Sequence, residues 1–421
     1  AALAEFVARA ERLDEAGAVW HKHGDAAAKI AGAARVFRAT YTTDHVAHVT
    51  MEPMNCTARA QGDAIEIWVP SQSPSGVIGI VAAGAGYKPE NITVHITLLG
   101  GGYGRRAEAD YSLHAALLAK AMPGVPIQVI WTREDDFLRA RPRPMTAQHL
   151  VAGVDAQGRI IGWRHRLVSE SIMARTAAAA YEKSGGRDSP VMEGADGVYG
   201  IADQLIEHGR EQRGVDVSFW RAVGAGYTKF SMESLIDEIA TASGKDPLQY
   251  RLDLTAGQPR AQAVLREAAT MAGWGRDREA GRALGLAFSD AWNTFIAMVA
   301  EVSLQEGRPV VHRIWAAVDC GHAISPANIR AQVEGAALFG LSAALGERLV
   351  YKGGQVQQHN LDTYPLLRAN QAPAVQVKVM PTDNAPGGMG EVGLPPVAPA
   401  VANAVARLSG KRLRSLPFPT L

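Results

Sequence analysis

The chain is 421 residues long, 47% hydrophobic and 20% charged, with a formal net charge of +1. That length exceeds one compact core and suits two or three domains, and the composition is that of an ordinary globular protein. A charge balance this near neutral, with no block of like charges, argues against a nucleic-acid surface, and no apolar run reaches the roughly 18–20 residues that span a bilayer.

Residues 1–34 read as an alanine- and charge-rich helical connector without the architecture of a signal peptide. His21 and His23 fall inside it, and residues two apart on a helix do not face each other. Strand-like alternation follows over Val36–Thr50 and Ala64–Val69. His45 and His48 lie in the first of these, three apart and so on opposite faces of an extended chain. Ile92–Leu99 alternates again and runs into Gly100-Gly101-Gly102-Tyr103-Gly104-Arg105-Arg106, ahead of a helical pattern over Ala107–Met122. Strand, glycine loop and helix in that order form a place where backbone N–H groups can meet an anion. The loop is neither a dinucleotide fingerprint nor a P-loop, because G-x-G-x-x-G and Gly-Lys-Ser/Thr are both missing. Taken alone, it is a tight strand-to-helix turn.

Val125–Thr132 reads as a strand, Leu150–Trp163 as a hairpin turning at Asp155–Arg159, and Arg175–Asp196 as irregular. Met232, Leu235, Ile236 and Ile239 recur at helical spacing within Gly224–Ser243, which Gly244 closes. Pro259–Trp274 is an amphipathic helix. Gly285–Ala317 returns to strands around a turn at Gln305–Arg308, Asn328–Leu345 is a small-residue helix, and Val375–Met380 is a strand. The last motif is Gly387-Gly388-Met389-Gly390-Glu391-Val392-Gly393-Leu394-Pro395-Pro396, before a helix-like run over Val397–Leu408. Proline suits the first helical turn, and the glycines let backbone approach a bulky ligand. A Glu held rigidly there can act as a base, although by itself such a Glu more often complements the helix dipole. Strands and helices without regular βα alternation indicate the α+β class.

Cys56 and Cys320 are the only cysteines, so this chain alone assembles neither a zinc site nor an iron–sulfur cluster. The twelve histidines show no H-x-x-x-H spacing.

The two glycine loops, with Met51–Ala58, Trp68–Pro74, Trp131–Asp136, Phe219–Gly224, Ala317–Gly321 and Gln332–Gly335, appear in order over nearly the whole chain. Together they resemble the large subunit of the molybdenum hydroxylases (xanthine dehydrogenase family). The likeness is strongest to the isoquinoline 1-oxidoreductase beta-subunit branch, which also includes aldehyde-oxidising members. The resemblance implies mixed sheets with packed helices and oxidative hydroxylation at an electron-poor carbon. In that chemistry Glu391 is the base that activates a molybdenum-bound hydroxyl, and hydride passes to a sulfido ligand. Gln72 matches the glutamine that hydrogen-bonds an oxo ligand, a role suited to an uncharged donor. Gly102, Tyr103 and Gly104 match the loop whose backbone approaches the metal centre, where a β-carbon at Gly104 would crowd that approach. Arg221 and Gly390 lie beside the cofactor. No side chain is expected to bind the metal directly.

Two positions depart from the family. The carboxylate of purine-oxidising relatives is Ala107 here, and the aromatic two residues after the arginine is Val223. Val223 and Glu108 are the substrate-side candidates, although on a helix Glu108 points roughly 100° from Ala107. These departures argue against purines and leave aldehydes and flat N-heterocycles. The implied cofactor is molybdopterin cytosine dinucleotide with sulfido molybdenum.

Further segments that grip the pterin are not evident, so the chain reads as about half of a molybdenum subunit. Residues 35–285 would form one cofactor-binding region and 286–421 part of a second. Expected partners are a separate chain carrying the other half, a small subunit with two [2Fe–2S] clusters, and a cytochrome or FAD subunit. The branch suggests the periplasm, with the cytoplasm as the alternative. A non-catalytic scaffold that completes a partner's fold is the competing reading.

Overall fold

The computed structural model describes residues 2–421. Its most apolar strands make two sheets that share one core. A six-stranded sheet runs in the order Ala18–His23, Gln204–Glu211, Ile160–Glu170, Thr146–Val154, Arg35–Thr43 and Ser415–Leu416. The second, four-stranded sheet runs Arg282–Ala291, Thr294–Gln305, Arg308–Asp319 and Ala374–Val379, with only the last pairing parallel. Between them lies the helix Ala225–Ala242, buried on nearly every side, as expected of a helix enclosed by two layers. Its Glu233 is fully buried and accepts from Arg251 Nε at 2.7 Å and from the Phe288 N–H at 2.9 Å. A buried carboxylate persists only with such partners, and these pin the helix to the strand Arg282–Ala291.

Helix Val397–Ser409 lies on that same strand. The contact is close because position 285 is glycine: a Cβ there would stand 2.0 Å from the Ala400 carbonyl oxygen and 2.3 Å from the Ala404 nitrogen. Small residues at 400 and 404 complete the fit. The loop that ends at this helix, residues 387–396, is thereby held over the end of the sheet.

A third unit packs by itself. Strands Asn55–Gln61, Ala64–Val69, Ile92–Ile96 and Ile127–Ile130 form a four-stranded sheet covered on one face by helices Pro74–Ala85 and Asp110–Ala121. Its core, including Met54, Ile67, Val77, Tyr111 and Trp131, draws on no residue outside 54–131. The division expected between residues 285 and 286 falls inside the strand Arg282–Ala291, where one core joins both larger sheets.

Other expectations change too. Ala18–His23 is a strand paired with Gln204–Glu211, so tertiary pairing overrides the helical bias of its alanine-rich surroundings. His21 and His23 therefore lie two apart on a strand, the spacing that places residues on one face. The segment Arg175–Asp196 is not irregular throughout but holds the short helices Ala178–Lys183 and Ser189–Met192. The strand expected to reach Thr50 ends at Thr43, after which His45 and His48 turn inward and are buried. Among the described residues no helix is long and apolar enough to cross a membrane.

Candidate active site

A cavity of ≈ 590 Å³ opens where the small unit meets the main body, within the usual size of a small-molecule site. The small unit contributes Gln72, Tyr103, Gly104 and Ala107, and the main body contributes Phe219, Arg221, Val223, Gln332, Gly390 and Glu391. Ser189, Pro190, Glu193 and Trp292 complete the lining.

Glu391 points one oxygen at the backbone: its Oε1 accepts the Ala222 N–H at 3.1 Å. Oε2 has no partner among the described residues. Burial raises the carboxyl above its ordinary 4.5, against the opposing pull of the Ala222 N–H and the Arg221 cation. The donor comes from an unusual turn, since Ala222 and Val223 have φ of +77° and +39°. A β-branched residue in that region is a true outlier that neighbouring structure must hold in place. Here the Val223 N–H bonds the Trp220 carbonyl at 2.6 Å.

Arg221 is buried and forms no ion pair with a carboxylate. Its Nε donates to the Gly390 carbonyl at 2.8 Å, and its Nη2 donates to Gln332 Oε1 at 2.9 Å and to the Gln332 carbonyl at 3.2 Å. The guanidinium thus fixes the residue before Glu391 while leaving its positive charge in the site. A Cβ at Gly390 would meet nothing of this chain within 4 Å, so glycine there keeps the cavity open rather than relieving a clash.

Across the cavity, Gln72 Oε1 accepts the Gly104 N–H at 3.0 Å, which leaves its amide nitrogen free to donate. A Cβ at Gly102 would come within 2.5 Å of Gln72 Oε1, so glycine there lets the Gln72 side chain keep its place. Tyr103, at φ +52°, stacks on Phe339 at 4.5 Å, and Phe339 stacks on Trp220 at 4.8 Å. Gly104 has φ +104°, and a Cβ there would stand 2.2 Å from the Phe219 carbonyl oxygen. The crowding expected at Gly104 is therefore against this chain's own backbone. The same carbonyl meets His48 Nε2 at 2.6 Å. Burial lowers His48 to about 4, so the ring is neutral and donates through Nε2–H.

Glu108 does not line the cavity. Arg175 donates to it from both Nη1 (3.0 Å) and Nη2, Ser218 donates its hydroxyl, and Arg141 Nε lies at 3.1 Å. Burial works to raise this carboxyl, but the Arg175 and Ser218 hydrogen bonds outweigh it and hold Glu108 below its ordinary value. It ties the small unit to the main body, and the neighbouring Ala107 faces the cavity instead.

Glu391, Gln72, Tyr103, Gly104, Arg221, Val223 and Gly390 are brought to one cavity from segments far apart in the chain. Glu193 and Trp292 also line it without a signal in the sequence, and His48 stands behind the lining, on the Phe219 carbonyl. The lining offers an oxo-anionic group the amide donor of Gln72 and the Arg221 cation, while Glu391 adds a carboxylate oxygen that has no partner among the described residues and can accept a proton.

Residues 11–253 match the family of molybdopterin cofactor-binding domains, and residues 216–373 match a second family of the same description. The chain is 37% identical over 383 residues to the isoquinoline 1-oxidoreductase subunit beta of Brevundimonas diminuta, covering 89% of this chain and 49% of that protein. It is 30% identical over 438 residues to the membrane-bound aldehyde dehydrogenase [pyrroloquinoline-quinone] of Gluconacetobacter polyoxogenes, covering 96% and 56%. The chain thus spans about half the length of these relatives. In fold it resembles quinoline 2-oxidoreductase from Pseudomonas putida 86, with a TM-score of 0.78 at 15% identity over 96% of this chain and 78% of that one.

Proposed function

The chain belongs to the molybdenum hydroxylase family, as a portion of its molybdopterin-binding subunit, and from that premise we propose that it carries the catalytic base for hydroxylation of aldehydes or N-heteroaromatic compounds. When bound, the cofactor supplies two-electron redox chemistry and the oxygen that is inserted. Gln72, the Tyr103–Gly104 backbone, Arg221 and Gly390 would hold it. Glu391 takes the proton from the attacking oxygen on its free Oε2, while Ala222 and Arg221 keep the carboxylate oriented and ionised enough to accept it. Gln72 donates from its amide nitrogen without adding charge.

The observation that carries this reading is Glu391 itself, half-buried in the cavity, with one oxygen fixed and the other free opposite Gln72. Glu391→Gln preserves size and removes the base, and acid–base losses are typically ~10²–10⁴-fold. Wild-type turnover by a Glu391→Gln complex of unchanged molybdenum content would remove Glu391 from this role.

The cytosine dinucleotide form of the cofactor with sulfido molybdenum, the remaining pterin contacts from polypeptide outside these residues, and a partner with two [2Fe–2S] clusters belong to the same proposal. A cytochrome or FAD subunit would then take the electrons onward. Supporting it are relatives about twice the length of the match and an exposed apolar stretch, Ile96, Leu98 and Leu99, beside the glycine loop. Mass spectrometry of the purified complex tests these partners. By the branch resemblance the complex works in the periplasm rather than the cytoplasm, which cell fractionation decides. The scaffold reading draws on Ala107 and Val223, and a complex without molybdenum would favour it.

A further inference from the structure

We propose that Glu193 and Trp292 form a recognition pair that selects flat heteroaromatic rings bearing a ring N–H or a protonated ring nitrogen over simple aldehydes, a refinement that rests on the function proposed above. Both side chains line the cavity. Neither belongs to the short motifs named above, although both lie within the matched cofactor-binding domains. They supply the two features missing at Ala107 and Val223, namely a carboxylate and an aromatic wall.

Trp292 occupies the two-residue turn between the strands Arg282–Ala291 and Thr294–Gln305. Trp292 and Asn293 have φ of +52° and +59°, the backbone of a type I′ hairpin turn. Asn or Gly suits the first of those positions, and a large aromatic does not. A large side chain held there strains the backbone, so turn preference does not explain the residue. Its carbonyl accepts the Gly388 N–H at 2.8 Å, which couples the turn to the loop bearing Glu391. Trp292 packs against the apolar cluster that includes Trp220, Ala222 and Leu394.

Glu193 follows the short helix Ser189–Met192. Its own carbonyl is anchored by Thr228 Oγ1 at 2.7 Å, but its half-buried carboxylate has no hydrogen bond or ion pair among the described residues. A carboxylate withdrawn from water without a partner is costly. The charged groups acting on it are Asp196, Lys229, Glu391 and Asp290. Lys229 cannot neutralise it, because its ammonium is already paired with Asp290 at 2.6 Å. Asp290 also accepts the Val198 N–H at 2.7 Å. One side chain therefore tethers both the segment after Glu193 and the hairpin that ends in Trp292, and it fixes the two halves of the pair relative to each other.

A ring lying on Trp292 with its N–H at Glu193 would gain a charge-assisted hydrogen bond that an aldehyde cannot make. Such bonds correspond to about 10–100-fold in affinity. The test uses the intact complex with three probes: 4-hydroxyquinazoline, which carries a lactam N–H; naphthalene, which is flat without nitrogen; and benzaldehyde. Dissociation constants come from calorimetry, and kcat/KM is measured for the two oxidisable probes. Glu193→Ala is expected to raise the dissociation constant of 4-hydroxyquinazoline about 10–100-fold. The ratio of its kcat/KM to that of benzaldehyde should fall by a similar factor. Trp292→Leu is expected to weaken 4-hydroxyquinazoline and naphthalene together. An unchanged 4-hydroxyquinazoline dissociation constant in Glu193→Ala, or a parallel loss for both oxidisable probes, overturns the pair. The binding measurement needs no turnover, so it decides this inference even if the wild-type complex oxidises neither probe, the outcome that would instead refute the proposed function.

Discussion

Gly104→Ala adds a single carbon at the most crowded point of the cavity. That carbon would stand 2.2 Å from the Phe219 carbonyl oxygen and 2.7 Å from its carbon, about 1 Å inside an ordinary contact. No rotamer relieves it, because both partners are backbone. The carbonyl cannot shift freely either, since it would lose its 2.6 Å hydrogen bond with His48 Nε2. An L-residue at positive φ adds about 1–2 kcal/mol, and overpacking adds about 1–3 kcal/mol, so a loss of about 2–5 kcal/mol is expected. Function should suffer beyond stability. Phe219 is three residues before Ala222, whose N–H reaches Glu391 at 3.1 Å, and a shift of about 1 Å breaks that hydrogen bond. Misplacement on this scale can cost about 10²-fold in rate. The assay is kcat of the metal-replete complex alongside its thermal midpoint. A variant that keeps both at wild-type values refutes the reasoning.

Two further predictions concern protonation. Arg221→Met removes the cation that opposes the upward shift of Glu391. A base must be ionised to act, so the acid limb of the pH–kcat/KM profile should move to higher pH, and a limb that stays in place or moves down would count against the pairing. Glu347 and Glu170 are buried carboxyls raised from 4.5 to about 7, burial being the main cause in both. Between about pH 4.5 and 7 the unfolded chain ionises them while the folded chain keeps them protonated, so stability falls as pH rises through that window and is flat below it. Each shift corresponds to about 3 kcal/mol. Glu347→Gln should remove about half of that decline in denaturation curves recorded across the window, and an unaltered slope would show that Glu347 is ionised in the fold.

The elements legible in the sequence were those whose signal is local. Ala64–Val69 is β-rich, with Ile65, Ile67 and Val69 on one face, and forms that strand, and Pro259 and Gly273 bracket their helix as capping preferences require. The two glycine loops stood out because backbone needing positive φ or close approach leaves glycine in the sequence, as at Gly104. Ala18–His23 was misread because its partner strand lies almost two hundred residues away, and no local pattern encodes that pairing. Trp292 and Glu193 were hidden for a different reason. Trp292 sits in a turn whose backbone usually takes Asn or Gly, so its residue type masks the turn, and Glu193 ends a helix of four residues, too short to show periodicity. Glu108 was placed by sequence adjacency to Ala107, but the arginines that claim it come from the main body.

Glu108 has a further consequence. Gln72 and Tyr103 ride on a unit with its own core, whereas Glu391 and Arg221 ride on the main body. The spacing between the two walls is thus set by a joint, not by either interior. That joint includes the Glu108 ion pairs with Arg175 and Arg141, the Tyr103–Phe339 stack, and the Gly104–Phe219 contact. Joints of this kind yield at lower free energy than the cores they connect. Heating or salt should therefore disengage the walls while both cores remain folded, and catalysis would fail as an alignment fault well before the protein melts.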